Sequence, residues 1–155
     1  MFKLTILLKL SYDFLEILRK WPPSIAIDRV CTKDYTIEPV TPDEHPVRVK
    51  AGDQLSIPLH AIHNDPKYYP NPEKFDPERF SDLNKDSILP YTYIPFGCGP
   101  RNCIGSRFAL LETKALLFHL LLNFEIVSNK KTIIPLRLSK QSLNHTAEGG
   151  FWFGL

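Results

Sequence analysis

The chain has 155 residues, 43% of them hydrophobic, with 14 prolines and a formal charge of +2. Its size suits one globular domain or a piece of a larger one, and so small a charge gives no reason to expect nucleic acid as a partner. Three cysteines, an odd count with no cleavable leader pattern before them, favour a reducing compartment over a disulfide framework, and no apolar run reaches the roughly 20 residues that span a bilayer.

From residue 3 to residue 21 the periodicity predicts a helix, and Trp21-Pro22-Pro23 ends it because proline cannot continue the hydrogen-bond ladder. Lys9 interrupts the apolar start, Met1 to Leu10, which reads as the front of that helix. Glu16 and Arg19, three apart, share one face. Taken alone such a pair is an ordinary solvated contact. Taken alone, Ser24 to Cys31 is a plain apolar strand with an exposed arginine, Arg29, and Tyr35 to Glu38 reads as a strand. After the polar, proline-bearing loop 39–46, Val47 and Val49, the turn Ala51-Gly52-Asp53, and Leu55 and Ile57 predict a hairpin with alternating faces.

Leu59 to His63 predicts a short helix closed by Asn64-Asp65-Pro66. His60 and His63 lie one turn apart, as metal ligands can, but no carboxylate or cysteine is set to complete a site. Tyr68 to Asp86, rich in proline, aromatics and charge, predicts an irregular meander. Near the end, Phe124 to Val127, Pro135 to Leu138 and Gly149 to Leu155 read as short strands. Asn144-His145-Thr146 matches a glycosylation sequon and is expected to be unmodified.

The chemistry concentrates between Pro95 and Gly105. Gly97, Gly99, Pro100 and Gly105 surround Cys98 and Cys103, a backbone that must bend sharply and approach something closely. Apolar residues then recur at Ile104, Phe108, Leu111, Ala115, Phe118 and Leu122, a helical stripe that leaves Arg107, Glu112 and Lys114 outside it. Cys103 therefore sits at the amino-terminal mouth of a helix, where unpaired N–H groups and the positive dipole end favour an anion. A cysteine so placed is suited to serve as a thiolate, a strong ligand for soft metals. Arg101 offers a planar fork for a carboxylate. These features together fit a large flat metal cofactor bearing carboxylates, and Cys103 is expected to face a cavity broad enough for it. A disulfide or half a zinc site at Cys98 and Cys103 is the rival, but the spacing is wide and no second Cys/His pair answers it. Cys31 and Cys98 are expected to be buried and inert.

Phe96-x-x-Gly99-x-Arg101-x-Cys103-x-Gly105 resembles the haem-binding signature of the cytochrome P-450 family, in which a cysteine thiolate holds the iron. Five fixed positions give a chance match on the order of 10⁻⁵ to 10⁻⁴ in a chain this long. The resemblance extends to Glu16-Ile17-Leu18-Arg19, similar to the family's Glu-x-x-Arg motif, and to Pro77-Glu78-Arg79-Phe80. It implies a mainly α fold with small β-sheets (α+β). The chain would be the C-terminal part of that fold, a single partial domain over residues 1–155 running from helix K through the haem-binding loop and helix L to a terminal β-hairpin. Residues 1–10 depart from the family pattern, and the membrane anchor and oxygen-binding helix that family members place earlier are not in this sequence.

The resemblance further implies haem b (iron protoporphyrin IX) as cofactor, with Cys103 as the proximal iron ligand and Phe96, Gly97 and Gly105 around it. Arg101 and Arg29 would meet the propionates. Glu16, Arg19 and Arg79 would form a buried charged triad, with Ile25, Ala26, Ile27 and Leu143 facing substrate. The implied activity is a haem-thiolate monooxygenase that inserts one oxygen atom from O₂ into lipophilic substrates such as xenobiotics, steroids or fatty acids. Electrons would come from NADPH through a flavoprotein reductase, with cytochrome b5 as a second donor and Arg107 and Lys114 as basic contacts. The full-length protein would belong on the cytosolic face of the endoplasmic reticulum membrane, with no nucleic-acid partner. Two alternatives share the cysteine loop: a haem-thiolate isomerase or dehydratase working without O₂, and a truncated, non-catalytic fragment. The 155-residue chain by itself is expected to expose apolar surface, bind haem poorly and lack turnover.

Overall fold

A computed structural model describes residues 2–139 and 145–155. It contains helices and small antiparallel sheets, an α+β arrangement, in two compact units: residues 1–25 with 59–155, and residues 26–58.

In the first unit α1 (Phe2–Lys20) ends as its sequence dictates. The Trp21 amide donates to Ile17 O at 2.8 Å, and the next residue, Pro22, is fully buried. α2 (Leu59–His63) is a single turn, followed by a meander stitched by 3-10 turns at Pro77–Phe80 and Lys85–Ser87. The core joins α1 to these pieces through Leu10, Leu18, Leu59, Tyr69, Phe80 and Ile94, all buried. Aromatic contacts reinforce it: Phe80 and Tyr93 lie 4.7 Å apart and Trp21 stacks on Phe75 at 6.3 Å. α3 (Ser106–Asn123) follows the cysteine loop. Its apolar residues do not enter the core, for no residue of α3 is buried and Phe108 and Leu111 are 69% and 70% exposed. The strands expected beyond it reduce to isolated bridges, Val127 with Gly154 and Leu138 with Ala147. Residues 140–144, among them Leu143 and the sequon asparagine, lie outside the described residues.

The second unit holds β1 (Ile27–Val30), β2 (Tyr35–Ile37), β3 (Val47–Val49) and β4 (Gln54–Ile57). The predicted β3–β4 hairpin does not form. β1 pairs antiparallel with β4, Ile27 opposite Ile57, while β2 pairs with β3, Tyr35 opposite Val49. The turn at Gly52, with φ +95°, is tied to Cys31 instead: the Gly52 amide donates to Cys31 O, and the Cys31 amide to Asp53 O, both at 2.8 Å. Among the described residues, no helix is long and apolar enough to cross a membrane.

Candidate haem-binding site

The loop leading to α3 is built by two left-handed glycines and three backbone bonds. Gly97 and Gly99 have φ of +76° and +73°, a region that costs any residue with a Cβ. The Gly97 amide donates to Ile94 O at 2.9 Å, Asn102 to Gly99 O at 3.1 Å, and Cys103 to Phe96 O at 2.8 Å. The last bond closes the loop, so that Cys103 is held against the residue that enters it. α3 begins three residues later, with Gly105 O accepting from the Ala109 amide at 2.9 Å.

Around this loop the surface is open. Cys103, Arg101 and Cys98 are exposed, whereas Phe96 and Gly97 are half-buried. Cys103 was expected to face a cavity and instead lies on the surface, because the apolar residues beside it, Ile104, Phe108 and Leu111, are themselves uncovered. Cys98, expected to be buried, is exposed as well. It sits at the rim of the same glycine turn, with no apolar layer over it. Cys31 is half-buried and its thiol donates to Lys33 O at 2.9 Å.

Behind the loop lies a buried polar node. Glu16 and Arg19 are wholly inaccessible, joined by a bidentate pair with Nε to Oε2 at 2.7 Å and Nη2 to Oε1 at 2.9 Å. The other Arg19 donors reach His63 O (2.8 Å), Asn64 Oδ1 (3.3 Å) and Pro72 O (2.7 Å). All five guanidinium N–H directions are thus used. Glu16 Oε1 also accepts the Asp76 amide at 2.9 Å and sits 3.8 Å from Arg79 Nε. Arg79 Nη2 donates to Pro70 O at 2.7 Å and Asn71 O at 3.0 Å. Residues some sixty apart are brought to one carboxylate, which ties α1 to the meander.

Sequence reasoning missed His63. It appeared there only as a weak metal ligand beside His60, and among the described residues no group of three or more ligand side chains could hold a metal ion. Its ring is buried, Nε2 accepts the Ile94 amide at 3.0 Å, and it stacks on Tyr93 at 5.5 Å. Burial pushes its pKa down to about 4. The usable signal was its place at the end of an apolar turn, next to Ile62. Arg29, on β1 in the second unit, is half-buried and donates to Asp28 O at 2.8 Å. Ile25, Ala26 and Ile27 are half-buried.

A model of the cytochrome P450 family matches residues 14–151. The chain belongs to this family. It is 56% identical over 140 residues to cytochrome P450 9e2 of Blattella germanica, a match covering 90% of this chain and 26% of that relative. It is 54% identical over 140 residues to the probable cytochrome P450 9f2 of Drosophila melanogaster, covering 90% and 27%. With cytochrome P450 3A13 of Mus musculus the identity is 49% over 128 residues, covering 83% and 24%. The chain spans about a quarter of the length of these relatives.

P450 proteins carry haem on a cysteine thiolate, and the residues of this chain fit such a group. At Gly99 and Gly105 nothing lies within 4 Å of where a Cβ would stand, so the loop presents open backbone beside the thiol. Ile104, Phe108 and Leu111 extend that opening as an exposed apolar face on which a flat macrocycle can lie.

Proposed function

We propose that this chain is the haem-binding C-terminal portion of a P450 monooxygenase, running from helix K, which is α1, to the region after helix L, which is α3. Haem b would be the cofactor, and Cys103 the residue that would hold its iron. The observation that carries this reading is the thiol of Cys103 on a glycine-bent loop, beside an uncovered apolar face. When bound, haem on a thiolate would supply oxygen activation for insertion of one oxygen atom into lipophilic substrates.

The residues of the chain bind and orient. Phe96 fixes the Cys103 amide through its carbonyl. Arg101, exposed beside the loop, and Arg29 are the partners for propionates, where a planar guanidinium pairs best. Glu16, Arg19 and Arg79 hold the meander that delivers the loop. Ile25, Ala26 and Ile27 are the substrate-facing candidates, in keeping with xenobiotic, steroid or fatty-acid classes, and Leu143 lies outside the described residues. Arg107 and Lys114 on α3 are the contacts for an NADPH-dependent flavoprotein reductase or cytochrome b5. The whole protein belongs on the cytosolic face of the endoplasmic reticulum.

The test is a titration of haem into the chain and into Cys103→Ala, each followed by the reduced carbon-monoxide spectrum. Wild type is expected to hold haem weakly yet show the thiolate-type band, without turnover. Cys103→Ala is expected to lose the band and at least about tenfold in affinity, the scale of losing a group that matters to a metal site. Identical titrations and spectra for the two chains would overturn the reading.

A further inference from the structure

His63 closes α2 with its ring fully buried, bonded to the irregular segment that enters the cysteine loop. Two observations set its state. Nε2 accepts the Ile94 N–H at 3.0 Å, so the ring proton resides on Nδ1, which is buried toward the backbone of Leu18 and Arg19. The rest of the ring is firmly held.

That hold comes from three directions. The ring lies against Tyr93 at 5.5 Å, the Tyr93 hydroxyl donates to Leu15 O at 3.0 Å, and the His63 carbonyl takes Arg19 Nη1 at 2.8 Å. Ile94 leads directly into the loop. Its carbonyl accepts the Gly97 amide at 2.9 Å, setting the left-handed turn, and Phe96 within that turn accepts the Cys103 amide at 2.8 Å. A continuous route of hydrogen bonds and peptide units thus runs from the imidazole to the cysteine.

We propose that His63 is a positioning residue for the Cys103 loop, holding the Ile94 peptide as the neutral Nδ1–H tautomer and thereby the turn from which Phe96 and Cys103 are set. The consequence for haem rests on the function proposed above, whereas the hold on the loop does not. A glutamine side chain at this position would present an amide oxygen near the place of Nε2, so His63→Gln conserves the acceptor; His63→Leu removes it and leaves the Ile94 N–H buried and unpaired.

Residue-resolved amide hydrogen exchange on the 155-residue chain tests this. In His63→Leu the Ile94, Gly97 and Cys103 amides are expected to exchange about tenfold faster or more, the scale of one lost buried acceptor, while His63→Gln stays near wild type. Equal protection in wild type and His63→Leu, or equal deprotection in both variants, overturns the proposal. Should His63→Leu fail to fold, nitrogen-15 shifts of the wild-type imidazole decide instead: Nε2 must be unprotonated, and a proton found there refutes the assignment. With haem added, His63→Leu is expected to lose thiolate-type band intensity that His63→Gln retains. If wild type itself shows no such band, the haem reading fails while the exchange data still decide the role of His63.

Discussion

Replacing Glu16 with alanine is the sharpest perturbation this structure offers. The carboxylate has no exposed surface and accepts two bonds from Arg19, at 2.7 and 2.9 Å, and one from the Asp76 amide at 2.9 Å. Without it the Arg19 cation stays at zero exposure, facing the His63 and Pro72 carbonyls, the Asn64 amide oxygen and the Tyr69 ring, none of which carries a negative charge. Breaking a buried pair this way costs roughly 3 to 5 kcal/mol, because an uncompensated charge remains in a dry interior. Stability for a domain of this size is about 5 to 15 kcal/mol, so the loss consumes a large share of it. With a urea dependence near 2 kcal/mol per molar, the unfolding midpoint should fall by about 2 M. Trp21, stacked on Phe75 just past the end of α1, provides a fluorescence signal for the transition. Replacing both partners, Glu16→Leu with Arg19→Met, should recover much of the loss, since a buried pair exchanged for apolar groups is often neutral. A midpoint for Glu16→Ala within ~0.5 M of wild type, at equal slope, would show that the node is solvated and carries little.

Acid should expose His63. Its neutral form is the folded one, and its pKa falls from 6.5 to about 4 mainly through burial, with Arg19 on α1 and His60 on α2 as the charged and titratable neighbours and Tyr93 against its face. The unfolded chain therefore takes up the proton first, and stability is intact above pH 6.5 and declines as the pH drops toward 4, by about 3 kcal/mol in all. A pH series of urea midpoints checks this, with His63→Gln expected to flatten the decline; equal slopes in both chains would contradict it. Gly99→Ala should destabilise by about 1 to 2 kcal/mol because φ is +73° there, although its Cβ would meet nothing. Gly105→Ala has neither strain nor clash and should leave the thermal midpoint unchanged, while adding a methyl group to the open face beside Cys103 and weakening haem binding in the titration above. Arg107→Glu with Lys114→Glu should weaken association with a flavoprotein reductase in a salt-dependent manner; affinity unchanged at low ionic strength would remove these side chains from that contact.

What the sequence revealed and what it concealed follow from the range of each signal. Local rules were enough for α1, whose end at Trp21-Pro22-Pro23 is written in proline chemistry, and for the neighbourhood of Glu16 and Arg19 one helical turn apart. Arg79 is 63 positions from Glu16, and only the resemblance joined it to the pair that the folded chain brings to within 3.8 Å. Alternation around Ala51-Gly52-Asp53 correctly marked two strands but paired them wrongly, with each other. Both β3 and β4 look outward to β2 and β1, because the turn residues spend their backbone groups on Cys31. His63 was invisible for the same reason: the amide it accepts belongs to Ile94, 31 residues on.

The usual rule of apolar inside and polar outside is locally reversed here, and the reversal has a mechanical consequence. Glu16, Arg19 and His63 have no exposure, whereas α3, with phenylalanines and leucines throughout its length, buries none of its residues. Polar groups are directional, so a buried set of them fixes backbone positions, at Asp76, Pro72 and Ile94, more sharply than packing alone could. The entry to the Cys103 loop is thus held from behind by hydrogen bonds, while its front is left as an open apolar face. A loop held in place before a ligand arrives has less ordering left to do on binding.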